Sequence, residues 1–188
     1  MNWAIYVDEL AKCLQSLAAS DGNAKQIEKE LALAKWNDLT LKIREKKKTV
    51  FLIGNGASAS MASHVAADLA KNAHIHTEVF TDLALITAIA NDISFEEVFA
   101  EPLRRRLRPG DLLVAISSSG KSNNILNAVQ TTKKLNGGVI TLSAMSADNA
   151  LRKEGELNFY VPAQSYGMAE TCHAALLHYW IDRIVSTT

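Results

Sequence analysis

The chain has 188 residues, of which 48% are hydrophobic and 21% charged, and its twenty basic and twenty acidic residues cancel to a formal net charge of zero. This composition is typical of one folded domain, and the charge balance argues against a surface that recruits nucleic acid or anionic membrane. No signal-peptide pattern or membrane-length apolar stretch is present, and the two cysteines lack metal or redox spacing, so we expect a cytoplasmic protein.

The first 46 residues predict a helical hairpin. Apolar residues recur at three- to four-residue spacing over 3–20 and again over 24–47, with an Asp-Gly-Asn break between them. Trp3 and Trp36, like Trp180 near the end of the chain, give terminal helices apolar faces. Such faces serve either the core or contacts between subunits.

From residue 47 onward, short apolar runs alternate with helical patterns. The runs predict strands over 49–55, 76–82, 139–144 and 157–163, and residues 108–117 predict a turn that leads into a further buried strand. The helical patterns cover 58–73, 84–107 (one or two helices), 122–136 and 167–187. Strands that are apolar on both faces and alternate with helices predict a three-layer α/β fold, with a parallel sheet covered by helices on both faces.

Two loops rich in glycine and serine follow two of these strands, Gly-Asn-Gly-Ala-Ser at 54–58 and Ser-Ser-Ser-Gly-Lys-Ser at 117–122. Loops at the carboxyl edge of a parallel sheet lead into helix N-termini, whose free N–H groups and positive dipole end favour phosphate. Neither loop has the spacing of a P-loop or of a dinucleotide-binding loop. Ser58 and Ser122 as simple helix caps are the alternative, but two such loops on adjacent crossovers favour a phosphate site.

Acid–base groups occur on the helices that border these loops. His64 and Asp68 lie four residues apart and share a helix face, as do Glu170 and His173 on the last helix, which also carries His178. Imidazoles and carboxylates can transfer protons as general acids and bases, and they also bind divalent metals. A single histidine here is more often structural, so the functional interpretation depends on the two histidines and two carboxylates occurring together.

Four segments, 54–69, 91–103, 108–126 and 170–184, together resemble the sugar isomerase (SIS) domain and, within it, the phosphoheptose isomerase branch. The similarity covers essentially the whole chain. It implies a single SIS domain over 1–188, with a flavodoxin-like strand order in the α/β core of 47–188. It also implies N-terminal helices (1–46) that make oligomer contacts, and a homotetramer whose sites are assembled across subunits.

The resemblance assigns residues to substrate, metal and chemistry. Substrate-binding positions are Asn55, Ser58, Asp92, Ser117, Ser118, Ser119, Ser122 and Glu170, with Ser58, Ser117, Ser119 and Ser122 on the phosphate. A zinc ion (Zn2+) is implied at His64, Asp68, Glu170 and His178, and Asp68 and His178 are implied as the catalytic proton-transfer pair. The chain departs from the family pattern twice, because Asp68 stands in place of glutamate and Glu170 in place of glutamine.

Helix geometry constrains this metal set. Glu170 and His178 are eight residues apart, a rise of about 12 Å on a straight helix, so one ion with bonds of about 2 Å cannot take both from one helix. Either Glu170 precedes the helix, or the two ligands come from different subunits. The resemblance supports the second arrangement.

The leading functional hypothesis is an aldose–ketose isomerase that converts sedoheptulose 7-phosphate into D-glycero-D-manno-heptose 7-phosphate, a heptose precursor of lipopolysaccharide and other surface polysaccharides. Two alternatives stay open at this point. One is a non-catalytic SIS protein that binds the replication initiator. The other is an isomerase for another phosphosugar, because the loops indicate a phosphate site but do not indicate how many carbons the sugar has.

Overall fold

A seven-stranded sheet forms the centre of the structure, a computed structural model that describes residues 2–187. Its strands are β1 Ala18–Asp21, β2 Gln26–Ile27, β3 Thr49–Gly54, β4 His76–Val79, β5 Leu112–Ser117, β6 Gly138–Ala144 and β7 Leu157–Val161. The helices are α1 Trp3–Gln15, α2 Lys29–Glu45, α3 Ala57–Ala73, α4 Leu83–Asp92, α5 Ala100–Arg106, α6 Asn123–Lys134 and α7 Tyr166–Val185. Short 3-10 turns occupy Phe95–Glu97 and Ala150–Lys153. None of the described helices is long and apolar enough to cross a membrane.

The strand order is β2-β1-β7-β6-β5-β3-β4, and the five strands from β7 to β4 are parallel. Numbered along the chain, these five have the order 2-1-3-4-5, so the flavodoxin-like prediction is confirmed. The order reverses between β3 and β5. In folds of this kind, ligands bind beyond the carboxyl ends of the strands at such a reversal.

Side chains of the central strands alternate between two apolar layers, which confirms the three-layer architecture. Val114 and Ile116 of β5 pack with helices α2, α3 and α7, whereas Leu113 and Ala115 pack with α4, α5 and α6. All four are completely buried. Burying one side chain of the size of valine or leucine contributes about 1.5–3 kcal/mol, so both faces of the sheet must be covered.

The N-terminal hairpin prediction is wrong in its middle. Residues 18–20 were expected to continue the first helix, but α1 ends at Gln15 and Ala18–Asp21 pairs antiparallel with β7, so that Ala19 lies opposite Phe159. The Asp21 carboxylate then accepts the backbone N–H groups of Asn23 and Lys25, which turns the chain into β2. Alanine is the strongest helix former, but helix propensity amounts to less than about 1 kcal/mol per residue, and the main-chain hydrogen bonds offered by the open edge of β7 override it.

The tryptophans divide between the core and the surface. Trp36 and Trp180 are buried, and their rings stack at a centroid distance of 4.4 Å. Trp180 Nε1 donates a hydrogen bond to Thr40 Oγ1 at 3.0 Å. Trp3, in contrast, is 77% exposed on α1, a helix with no buried residue. The faces of α2 and α7 therefore belong to the core, and α1 carries the apolar surface that could meet another subunit.

Candidate functional site

The two serine-rich loops meet at the reversal of strand order, because β3 and β5 are adjacent in the sheet. Together with the start of α7, they line a pocket of about 190 Å³ at the carboxyl edge of the sheet. The residues that line it are Asn55, Ser58, Ile116, Ser117, Ser118, Ser119, Ser122, Tyr166 and Glu170. Seven of these were assigned to substrate from the sequence. The exception among the assigned residues is Asp92, which lies at the exposed end of α4 and accepts a hydrogen bond from Asn91.

The first loop brings the start of α3 close to the end of β3. A Cβ atom at Gly54 would lie 2.5 Å from Ser58 Cβ, so only glycine allows this approach. Gly56 occupies the N-cap position of α3 with a positive φ of 56°, and the cap has no side-chain hydrogen bond. Ser58 is buried in the first turn of α3 and lines the pocket. The helix N-terminus therefore faces the pocket without a side chain blocking it.

The second loop turns at Gly120, where φ is +61° and an added Cβ would lie 1.9 Å from Asn149 Oδ1. Ser122 is the N-cap residue of α6 but makes no side-chain cap bond. Its hydroxyl instead lies 3.3 Å from Ser117 Oγ. The alternative in which Ser58 and Ser122 merely cap helices is therefore not what the structure contains, and both hydroxyls remain available to a ligand.

Lys121 is not among the residues that line the pocket. It lies near Asp148, a carboxyl whose pKa is lowered mainly by the Ser146 hydroxyl and to a smaller extent by Lys121. The charged residue that does line the pocket is Glu170. An anion in this pocket would therefore meet hydroxyls, backbone N–H groups and the N-terminal ends of α3 and α6 rather than a cation.

A second cluster lies further along α3 and α7. Ligand atoms of His64, Asp68 and His178 all lie within 4.8 Å of one another. His64 Nε2 is 3.3 Å from Asp68 Oδ2, and the rings of His64 and His178 are 5.3 Å apart. The two histidines are exposed and the aspartate is partly buried. Two imidazoles and one carboxylate form a donor set that suits Zn2+ and leaves a position for a further ligand or substrate.

Glu170 is not part of this cluster. The helix α7 is continuous from Tyr166 to Val185, so Glu170 lies within it, two turns before His178. The possibility that Glu170 precedes the helix is therefore wrong. Within the described residues 2–187 its carboxylate forms no hydrogen bond or ion pair, and it faces the serine pocket instead.

His173 lies in the core and away from both clusters, although it shares a helix with Glu170. It is 1% exposed, with Nε2 3.2 Å from the carbonyl oxygen of Ser143 and Nδ1 without a partner. Burial lowers its pKa to about 4 from the ordinary value of 6.5, although the Ser143 contact acts in the opposite direction. The imidazole is therefore neutral at physiological pH and serves packing.

Because its pKa is lowered in the folded state, His173 should make folding sensitive to acid. Between pH 6.5 and about 4 the unfolded chain binds a proton at this position that the folded chain does not. The free energy of unfolding should therefore decrease as pH falls through this window, by about 3 kcal/mol in total. Urea unfolding at pH 7 and pH 4.5 measures this. His173→Gln should flatten the dependence, whereas His76→Gln, which changes an exposed histidine, should not. An equally steep dependence in His173→Gln would contradict the assignment.

Two residues that line the pocket are not predicted from the sequence: Ile116, which is buried in β5, and Tyr166. Tyr166 is the one that offers a new contact at the pocket edge. It is the first residue of α7, follows the cap Ser165, and is 62% exposed at the edge of the pocket. The position of the loop after β7 could have indicated Tyr166, because this loop also reaches the carboxyl edge of the sheet, where ligands bind. It was overlooked because this loop carries none of the glycine and serine pattern of the other two.

Fold and pocket together define a doubly wound α/β protein with a serine-lined pocket at its switch point. A family model of the SIS domain matches residues 8–144, and the chain belongs to this family. A phosphoheptose isomerase from Chlorobaculum parvum is 37% identical over 147 residues, which cover 73% of this chain and 69% of the relative. The chain therefore belongs to the phosphoheptose isomerase branch of SIS proteins, a group of phosphosugar isomerases.

Solved structures agree with this placement. A phosphoheptose isomerase from Neisseria gonorrhoeae superposes with a TM-score of 0.81 at 26% identity, over 96% of both chains. One from Francisella tularensis matches at a TM-score of 0.84 and 23% identity over 100% of both chains, which supports the fold.

Proposed function

We propose that this chain is an aldose–ketose isomerase that converts sedoheptulose 7-phosphate into D-glycero-D-manno-heptose 7-phosphate, for heptose precursors of surface polysaccharides. The observation that carries the proposal is the pairing of an anion pocket with a His64–Asp68–His178 cluster on the two helices that leave it. The family relatives named phosphoheptose isomerase support the choice of sugar. Both cysteines are free, which is consistent with the reducing cytoplasm, where we place the enzyme.

The pocket holds the end of the substrate that does not react. Ser58, Ser117, Ser119 and Ser122 would donate hydrogen bonds to the phosphate, and the N-termini of α3 and α6 add their positive dipole ends. Asn55 and Ser118 would contact the sugar chain. Because hydroxyls hold the phosphate without a neutralising lysine or arginine among the lining residues, the substrate keeps its negative charge within the site.

The chemistry falls to the second cluster. The Asp68 carboxylate would remove the proton from the carbon beside the carbonyl, and the His178 imidazole would protonate the carbonyl oxygen to give the enediol. Asp68 would then return its proton to the neighbouring carbon, while His178 would take the proton from the hydroxyl of the first carbon, which becomes the aldehyde carbonyl. Both groups regain their starting states, with no net gain or loss of atoms. His64 lies 3.3 Å from Asp68 and orients the carboxylate.

His64, Asp68 and His178 would also hold Zn2+, with Glu170 as a fourth ligand. When bound, the ion would supply electrostatic stabilisation to the negative charge that develops on the enediolate oxygens. Glu170 in place of a neutral amide adds one negative charge to this donor set, which favours a divalent cation.

This metal set requires a second subunit. Glu170 lies about 12 Å along α7 from His178 by helix rise, so it cannot join the cluster of its own chain. If Glu170 completes the cluster of a partner, the partner's proton-transfer groups lie against this chain's serine pocket. The geometry therefore calls for at least a second subunit, and the family resemblance extends this inference to a homotetramer with sites shared between subunits. A monomer with full activity would contradict this inference.

The direct test is turnover. The protein, supplied with Zn2+, should convert sedoheptulose 7-phosphate to the aldose. Product formation is measured by chromatography of samples taken at intervals, or by a coupled assay for the aldehyde. A panel of pentose and hexulose phosphates serves as the comparison. Preferential turnover of another phosphosugar would change the proposed substrate but leave the proposed reaction type intact. Failure to turn over any of them would contradict the proposed function.

A further inference from the structure

The two halves of the serine pocket are joined by one pair of amide side chains. Asn55 Nδ2 donates to Asn124 Oδ1 at 3.0 Å, and Asn124 Nδ2 donates back to Asn55 Oδ1 at 2.9 Å. Asn55 directly follows β3, and Asn124 lies in the first turn of α6, directly after the second serine loop. The reciprocal pair therefore bridges two loops that are 69 residues apart in the chain.

The orientation of this pair is set by the backbone. Asn124 is 2% exposed, and its Oδ1 also accepts the backbone N–H of Ile125 at 2.9 Å. Reversing the Asn124 amide would place its Nδ2 against two other donors, Ile125 N–H and Asn55 Nδ2, and its Oδ1 against Asn55 Oδ1. All three hydrogen bonds would be lost, which is costly for a buried group. The fixed Asn124 amide in turn presents an acceptor to Asn55 Nδ2 and a donor to Asn55 Oδ1, so it fixes the orientation of Asn55 as well.

Asn55 depends on this contact because little else holds it. It is an exposed residue between Gly54 and Gly56, and the described part of the chain offers its side chain no other hydrogen bond. A primary amide has two N–H groups and two carbonyl lone pairs, and the pair uses one of each. One N–H and one lone pair of Asn55 are left for a ligand in the pocket that this residue lines.

We propose that Asn124 is a positioning residue that holds Asn55 in the orientation required to bind the sugar, while itself making no contact with substrate. This proposal rests on the proposed function for the identity of the ligand. Without Asn124, the Asn55 side chain samples several rotamers. Substrate binding must then order it, at a cost in conformational entropy that the wild-type protein incurs on folding.

The first arm of the test is kinetic. Asn124→Leu keeps the branched shape and the number of side-chain heavy atoms but removes all three hydrogen bonds of the Asn124 amide. It should lower kcat/KM about tenfold, mainly through KM, since one orienting bond contributes roughly this much. Asn124→Asp keeps the acceptor for Ile125 and Asn55 but cannot donate, so it should also raise KM. Asn55→Ala combined with Asn124→Leu should be no worse than Asn55→Ala alone, because Asn124 acts through Asn55.

The matched control is Asn127→Leu. Asn127 lies one turn further along α6 and also bridges to another element, donating to Glu96 O and Glu97 Oε1 at 3.1 and 2.9 Å, but it does not line the pocket. This variant should leave KM unchanged. Additive effects of Asn55→Ala and Asn124→Leu, or an equal rise in KM for Asn127→Leu, would overturn the proposal.

The second arm needs no turnover. In two-dimensional NMR of the oligomer with labelled asparagine, the side-chain N–H signals of Asn55 should exchange slowly in the wild type and in Asn127→Leu, but rapidly in Asn124→Leu. Titration with inorganic phosphate tests the pocket in the same samples and should be little affected by Asn124→Leu. If no phosphosugar is converted, the proposed function fails while this arm still decides the role of Asn124. Unchanged Asn55 signals in a folded Asn124→Leu protein would overturn it.

Discussion

Asp68→Ala should reduce kcat for sedoheptulose 7-phosphate about a thousandfold, since a positioned general base contributes roughly 10²–10⁴ in rate. The same variant should bind Zn2+ more weakly in equilibrium dialysis, because it removes the carboxylate from the three-residue cluster. Asp68→Asn separates the two roles, since its amide oxygen remains a weak ligand but cannot accept the proton. We expect Asp68→Asn to be as inactive as the alanine variant while retaining more metal.

The control for this experiment is Asp182→Ala, which removes an exposed carboxylate one turn after His178 on α7. It should leave both kcat and zinc binding unchanged. Turnover of Asp68→Ala at the wild-type rate would remove Asp68 from the mechanism. Loss of metal without loss of activity would show instead that zinc is not needed for the reaction.

Mixed oligomers should recover activity that neither parent has. One subunit carries His64→Ala and Asp68→Ala, and the other carries Ser119→Ala and Ser122→Ala, so each parent lacks one half of every site. If a site combines the pocket of one subunit with the cluster of its partner, random assembly makes about a quarter of the sites intact. Co-expression with two affinity tags, followed by sequential purification, isolates the mixed oligomers.

Two controls decide the outcome of the mixing experiment. Size-exclusion chromatography must show that each parent assembles like the wild type, and separately purified parents mixed without subunit exchange must stay inactive. A shared site requires activity in the mixed oligomers. If these remain as inactive as the parents, each chain carries a complete site of its own and the intersubunit arrangement is wrong.

The structure shows the surroundings of Asp68 and Glu170, the two positions at which this chain departs from the family pattern expected from its sequence. Asp68 is one methylene shorter than glutamate, yet its carboxylate still reaches His64 at 3.3 Å. The shorter side chain is therefore compatible with the cluster. Glu170 places a carboxylate without a hydrogen-bond or ion-pair partner among the described residues in the pocket proposed to bind the phosphate. At this location it would repel the substrate unless a cation or a sugar hydroxyl contacts the carboxylate.

Much of the parallel core could be predicted because its signals are local. The runs that form β3 and β5 are apolar on both faces and end in glycine or serine, which defines a buried strand that feeds a helix. Since the carboxyl ends of such strands meet at one edge, the sequence alone predicts that the two serine loops lie together. His64 and Asp68 were likewise joined by helix periodicity, and the structure places them 3.3 Å apart.

What the sequence could not determine depends on partners distant in the chain. Ala18–Asp21 becomes a strand because the edge of β7, nearly 140 residues away, supplies its hydrogen bonds, and no local pattern encodes that edge. His178 joins His64 and Asp68 only because α3 and α7 pack side by side, whereas His173, on the same helix, faces the core. Local periodicity thus determined the elements and their loops. Tertiary packing decided which faces met, because contacts between distant segments carry no signature in either segment alone.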